Sequence, residues 1–347
     1  MRVETPFLWF TQPLTGIPRP WDFFEIDGLM LNAYEALKSK SANKSIRRNG
    51  IHKYMKFEGP IAMDSGGFLF MKKGVIEIDP RDILTLYEES KPNFGVVLDY
   101  PITTNLSQEE LENRLHKTLE NTRIMTRAKK NSNPELIPVI HGHNARLITW
   151  YIKELIKIGE FNIFGIGSLV PSVFNSRGVG GIYNVVRIVS LVRRLLPEKH
   201  IHVFGIGSTL TMHLMFYAGA DSIDSSSWRS KASFGAIQLP GTGDRYITSR
   251  KRHKRYPKLT REEYKILNEC NCPACRREGI DGLKSSFTLR ALHNAWVYQN
   301  EIEKTRKLIK NNEYEEYVEH IIGKSRFSKV LDVINRFKKK TNSISTY

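Results

Sequence analysis

A (β/α)8 TIM-like barrel, with a zinc-binding insertion and C-terminal helices, is the α/β fold class this sequence predicts. Three observations point to it. Between about residues 6 and 240, short apolar runs alternate with longer segments of helical periodicity, which is the rhythm of a parallel sheet with crossover helices. Seven runs qualify as strands, more than one doubly wound half needs, and either the N-terminal segment or residues 25–31 can supply a further one. Acidic residues and glycines stand just past several of those runs, where a barrel opens its mouth.

In chain order, strands are expected at 7–12, 61–64, 95–99, 137–141, 163–167, 202–205 and 222–224. Helices are expected at 79–91, 108–130, 145–158, 182–196 and 210–218, where apolar residues recur near i, i+3 and i+4. Ser107-Gln108-Glu109-Glu110 opens the second of these as a capping box. After Gly241 the rhythm changes to a basic loop, a cysteine cluster, and helical patterns at 287–310 and 314–340 without strands between them. The expected division is a barrel catalytic domain at 1–240, a zinc-binding subdomain completing the barrel at 241–300, and a basic helical extension at 301–347.

All three cysteines fall in Cys270-Asn271-Cys272-Pro273-Ala274-Cys275, and His293 follows on a helical stretch. Cys-x-Cys-x2-Cys-x17-His suits a closed tetrahedral zinc site. Four protein ligands leave no position for water or substrate, so the expected Zn2+ is structural. The N-terminal residues carry no basic-then-apolar signal and no apolar run approaches 18 residues, so a cytoplasmic protein with reduced thiols and no membrane partner is expected.

The balance of 53 Lys+Arg against 36 Asp+Glu gives a net charge of +17, a field suited to a polyanion. The charge is clustered. Arg250, Lys251, Arg252, Lys254 and Arg255 precede the cysteines, Arg336 to Lys340 lie near the C-terminus, and Lys38, Lys40, Lys44, Arg47 and Arg48 form a third basic segment. Nucleic acid is the expected partner.

Asp64 closes Ile61-Ala62-Met63, Asp99 closes Val96-Val97-Leu98, and Asp224 closes a run that begins after Gly219-Ala220-Asp221. Each could cap a turn or a helix. Together, at strand ends of one barrel, they place three carboxylates around a single mouth. Two of them suit glycosidic chemistry, one attacking the anomeric carbon and one moving the leaving group's proton. The glycine-rich exits Gly165-Ile166-Gly167-Ser168 and Gly205-Ile206-Gly207-Ser208 are places where backbone can approach a flat ligand or a phosphate.

In this order the pieces resemble the tRNA-guanine transglycosylase superfamily over about residues 6–300. Met63-Asp64-Ser65-Gly66-Gly67-Phe68 is similar to the family's Asp-Ser-Gly-Gly-Phe motif, which implies that Asp64 is the general acid/base. Asp99 stands in the place of the guanine-reading aspartate. Val139-Ile140-His141-Gly142 resembles the segment that sets a glutamine and glycine against the base, with His141 in place of the glutamine. Gly167-Ser168-Leu169 resembles a Gly-Gly-Leu loop, and Gly205-Ile206-Gly207 a Gly-Val-Gly exit. The segment ending in Asp224 resembles the one whose final aspartate is the nucleophile, and the cysteines match the zinc signature. The implied base-binding set is Asp99, His141, Gly142, Gly167, Ser168 and Gly205.

The resemblance departs after Asp224. Ser225-Ser226-Ser227-Trp228-Arg229-Ser230-Lys231 replaces the usual proline-threonine-arginine run, and the gap to His293 is short. These departures resemble the DpdA-like DNA 7-deazaguanine transglycosylases, which implies DNA as the preferred polymer, with tRNA the alternative and a 7-deazaguanine such as 7-cyano-7-deazaguanine as the incoming base. Arg229 and Lys231, with the 250–255 cluster, would then hold the nucleic-acid backbone, and Trp228 or Phe68 would stack on the base. A homodimer through the zinc region and a helper protein that opens duplex DNA are further expectations. Two other readings compete: a non-catalytic zinc-stabilised nucleic-acid-binding protein, and a barrel hydrolase with a second metal on Asp64, His141, His143 and Asp224.

Overall fold

The computed structural model describes residues 3–67, 69, 78–103, 105–170, 180–248 and 257–342. Nine parallel strands form one sheet: β1 (Phe7–Thr11), β2 (Gly28–Asn32), β3 (Ile61–Asp64), β4 (Phe94–Val96), β5 (Glu135–Ile137), β6 (Val139–Ile140), β7 (Ile163–Ile166), β8 (His200–Val203) and β9 (Ser222–Ser225). Their order runs β5-β4-β3-β2-β1-β9-β8-β7-β6. The two ends of that order are consecutive in the chain. The residue between them is Pro138, which has no N–H to give a ladder. The Ile137 carbonyl accepts from Val97 on one side, and the Pro138 carbonyl accepts from Gly165 on the other. One strand, expected as a single unit at 137–141, thus serves both neighbours in two pieces and closes an eight-membered barrel.

Strand parity fixes what faces inward. Phe7, Trp9, Met30, Ala62, Phe94, Val96, Ile137, Val139 and Ile163 fill the barrel, while Leu8, Phe10, Leu29, Leu31, Ile61 and Met63 face the surrounding helices. Thr11, Asn32, Asp64 and Asp224 continue the inward phase at the C-terminal ends of their strands, where the apolar filling stops.

The helices expected at 145–158 and 287–310 form with those bounds, and those expected at 79–91, 108–130, 182–196 and 210–218 end within two residues of expectation. The pattern at 314–340 forms two helices, Tyr314–Gly323 and Ser328–Asn342, separated by a short turn. The expectation of a loop directly after Gly241 is overturned, while no strand comes between the later helices among the described residues. β10 (Ala236–Leu239) pairs antiparallel with β11 (Gly243–Tyr246), across a turn built on Pro240 and Gly241.

Helix Phe287–Lys310 runs across residue 300 and ties the parts together. Asn294 donates to the Trp228 and Ala236 carbonyls and accepts from Gln238 N–H at 2.8 Å, Tyr298 donates to the Gly207 carbonyl at 3.0 Å, and Arg306 pairs with Asp27 beneath β1. Among the described residues, no helix is long and apolar enough to cross a membrane.

Candidate functional site

Asp64, Asp99 and Asp224 line one cleft of about 710 Å³ at the C-terminal mouth of the barrel. Asp64 and Asp224 reach it by parity from β3 and β9. Asp99 does so differently: β4 ends at Val96, and the chain leaves the ladder before turning Asp99 over the mouth. Asn121 takes the Leu98 carbonyl at 2.8 Å and Thr118 Oγ1 takes the Tyr100 N–H at 2.9 Å, so the helix Gln108–Ala128 holds that turn. Gly67 is needed beside it. A Cβ there would lie 2.4 Å from Asp99 Oδ1 and 2.5 Å from its carbonyl oxygen, a distance no side chain can share.

The three carboxylates are not equivalent. Burial pushes Asp64 up from its ordinary value to about 7, and the negative charges of Asp99 and then Asp224 push in the same direction. Asn32 Nδ2 donates to its Oδ2 at 3.1 Å. Asp224 instead sits among donors. Thr11 Oγ1 donates to Oδ2 at 2.9 Å and the Gly205 N–H to Oδ1 at 2.7 Å. Gly205 has φ +70°, a left-handed conformation that turns this amide onto the carboxylate. Asp99 Oδ2 lies 3.1 Å from His141 Nε2, and His141 Nδ1 lies 2.9 Å from Ser168 Oγ. Ser168 is a non-glycine residue at φ 62°, and its Oγ also accepts from Ile102 N–H at 2.8 Å. That strained backbone is what brings the hydroxyl under the histidine.

A group whose folded-state value is raised favours its protonated form in the fold. The stability associated with Asp64 is therefore greatest below its unfolded value of 3.8 and falls as pH climbs toward 7. Asp99→Asn removes the larger of the two charge repulsions. We expect it to lower the Asp64 pKa, which carbon-13 NMR of the aspartate carboxyls would read directly; an unmoved Asp64 titration would separate the two groups electrostatically.

Of the expected base-binding residues, Gly167, Ser168 and Gly205 line the cleft with Asp99. His141 is fully buried behind Asp99, and a Cβ on Gly142 would strike Ile148, so that glycine is packed against a helix. Lys231 lines the cleft and pairs with Asp244 at 2.6 Å. Arg229 donates to the Ile17 carbonyl at 2.9 Å and lies over the Phe287 ring. Arg250, Lys251, Arg252, Lys254, Arg255 and Phe68 lie outside the described residues. Stacking by Trp228 is ruled out. Its side chain is fully buried, edge-on to Phe10, on the helix side of the sheet. Thr11 and Asn32 were not singled out from the sequence, although each ends an apolar strand in the inward phase, which is the signal that identified the aspartates.

Cys270, Cys272, Cys275 and His293 offer ligand atoms that all lie within 4.8 Å of one another. The three sulfurs stand 3.6, 3.5 and 3.6 Å from His293 Nδ1. A tetrahedral zinc with metal–sulfur bonds of about 2.3 Å and a metal–nitrogen bond of about 2.0 Å requires a sulfur–nitrogen edge of about 3.5 Å. His293 Nε2 donates to the Gln238 carbonyl at 3.0 Å, which leaves Nδ1 free of its proton and aimed at the sulfurs. The donor set therefore fits a metal ion. No second such cluster occurs among the described residues. His143 is exposed and His141 faces Asp99, which removes the geometry for a catalytic metal on Asp64, His141, His143 and Asp224.

A family model described as queuine tRNA-ribosyltransferase matches residues 2–326. Three curated proteins, each a "tRNA-guanine(15) transglycosylase", are similar to the chain: those of Pyrococcus furiosus, Thermococcus kodakarensis and Methanocaldococcus jannaschii, at 28%, 29% and 29% identity over 326, 322 and 304 residues. These alignments take in 90%, 90% and 84% of this chain and 51%, 51% and 43% of the relatives. The chain spans about half the length of the curated relatives it matches.

Proposed function

Because the chain belongs to the queuine tRNA-ribosyltransferase family, we propose that it is a guanine transglycosylase, a pentosyltransferase that exchanges guanine in a polynucleotide for a 7-deazaguanine base. The observation that carries this reading is the division of labour between two carboxylates facing one cleft: Asp64, which is pushed up to about 7, and Asp224, which is held by donors on both oxygens.

Asp224 attacks C1′ of the target nucleotide as the bond from C1′ to the guanine nitrogen breaks. The bond's electron pair leaves with guanine, which takes a proton from Asp64. The incoming base, such as 7-cyano-7-deazaguanine, then attacks C1′ and gives its proton to the Asp64 carboxylate, while Asp224 departs as an anion. A carboxyl that titrates near 7 can serve both half-reactions. Asp99 receives the N1 and amino hydrogens of the base. Gly167, Ser168 and Gly205 form the wall beside it. The Cys3His cluster would hold a structural zinc that fixes β10 against helix Phe287–Lys310.

The polymer we propose is tRNA. The relatives are named for tRNA, and their names do not support the DNA preference drawn from residues 225–231. DNA stands second, on the departure at Ser225 to Lys231. The test is to incubate the protein with radiolabelled guanine and, separately, bulk tRNA, single-stranded DNA and duplex DNA. Label is expected in tRNA. Label confined to DNA would reverse the choice of polymer, and label in neither would remove the transglycosylase reading.

A further inference from the structure

The nucleophile is connected to the barrel floor by a row of polar groups that the proposed chemistry does not yet use. β8 reads His200-Ile201-His202-Val203, and β9 reads Ser222-Ile223-Asp224, so alternation turns His200, His202, Ser222 and Asp224 into the barrel. His202 and Ser222 are register partners. His200 Nε2 lies 2.7 Å from Ser222 Oγ, and Ser222 Oγ lies 2.9 Å from His202 Nδ1. His202 Nε2 then lies 3.3 Å from Asp224 Oδ1. His202 and Ser222 are fully buried, and the Nε2 atom has no aligned hydrogen-bond partner. Its contact with Oδ1 is of a kind that tightens when a ligand closes a site.

We propose that His202 is a positioning residue for Asp224, its ring held by Ser222 and His200 so that an Nε2–H faces the nucleophilic carboxylate. This rests on the transglycosylase reading. Ser222 has one hydroxyl hydrogen and two histidine neighbours. If that hydrogen went to His200, a neutral His202 would spend its own hydrogen on Ser222 and point a lone pair at Asp224. The carboxylate disfavours that arrangement. The stable direction is His200 Nε2–H to Ser222 Oγ, Ser222 O–H to His202 Nδ1, and His202 Nε2–H to Asp224. Burial holds His200 neutral, pushed down to about 4 against the pull of Asp221 and with the push of His202 and Arg193. Around Asp224 itself stand Thr11, the Gly205 amide and His202, with Asp64 and Asp99 in the same cleft.

A donor on this carboxylate has opposite effects on the two half-reactions. It slightly weakens Asp224 as an attacking group and assists its departure when the second base arrives. Removing it should therefore trap the covalent sugar–enzyme species.

The test uses the full chain with nitrogen-15-labelled histidine. His202 is expected as its Nε2–H tautomer, with Ser222→Ala and Asp224→Ala each redistributing the hydrogen between the ring nitrogens. In parallel, His202→Phe is expected to slow guanine turnover about 100-fold and to raise the steady-state fraction of denaturation-resistant adduct. His202→Gln, which retains a donor, is expected to restore most of the rate. A His202 ring in the Nδ1–H form, or one indifferent to both substitutions, overturns the proposal, as does a His202→Phe enzyme that turns over at the wild-type rate. Wild-type protein that labels neither polymer removes the transglycosylase reading instead, and the tautomer result then stands alone for or against the linkage.

Discussion

Replacing Asp224 with asparagine is expected to abolish the sugar–enzyme adduct that survives denaturation and to depress guanine exchange by about 10⁴-fold or more. The effect is chemical and leaves the fold alone. An asparagine has the same shape, its amide oxygen can accept from Gly205 N–H as Oδ1 does now, and its NH2 can donate to Thr11 Oγ1. What is lost is the negative charge that must attack C1′ and the ability to leave as a stable anion. Denaturing gel electrophoresis with labelled polynucleotide reads the adduct, and a melting curve checks the fold. An undiminished adduct would move the nucleophile elsewhere in the cleft, with Asp64 the next to be tested.

The second large effect is expected at the Cys3His cluster. Cys272→Ser, or treatment with a strong chelator, should reduce bound zinc from one per chain to near zero and lower the melting temperature by more than 10 °C, because structural zinc contributes on the order of 10 kcal/mol of apparent binding free energy to the folded state. Cys272 is fully buried, among Ile237, Leu239, Leu267, Leu283, Leu289 and Leu292. Without the metal, three thiols and an imidazole remain crowded within that apolar shell. Exchange activity should fall with the folded fraction and return on adding zinc. Elemental analysis alongside calorimetry checks the claim; chelation that strips the metal and leaves melting unchanged would deny it a structural role.

The barrel and two of its three carboxylates were legible because they rest on period-two patterning. Asp64 and Asp224 sit in phase with the inward residues of their own strands, so an apolar run ending in an acid is enough to place them. Asp99 was found by the same rule but reaches the cleft by leaving the ladder at Val96, which alternation does not encode. The cysteine cluster was legible from spacing, since cysteines that close in sequence can scarcely avoid one another in space.

The rest was hidden for identifiable reasons. β11 is Gly243-Asp244-Arg245-Tyr246, whose charges mask the strand signal; in the fold Lys231, Gln238 and Glu263 grip those charges. The break at Pro138 could have been read from proline's missing donor. His200 fell before the expected start of its strand, so the pairing of two histidines at i and i+2 in an apolar run went unseen. Trp228 was assigned to stacking from its nearness in sequence to Asp224, whereas helix Ser227–Ser233 turns it back into the core.

Helix Phe287–Lys310 is about 36 Å of continuous rod, and its grips lie at intervals along it: His293 on the Gln238 carbonyl, then Asn294 on β10, Tyr298 on the exit of β8, and Arg306 on Asp27 below β1. A rigid member fastened at four stations transmits a displacement at one of them to the others. The mouth and the floor of this barrel are in that sense mechanically one object. Damage at a thiolate far from the cleft would register at the turn that carries Gly205 and Gly207, and lesions scattered along a single helix would converge on one phenotype.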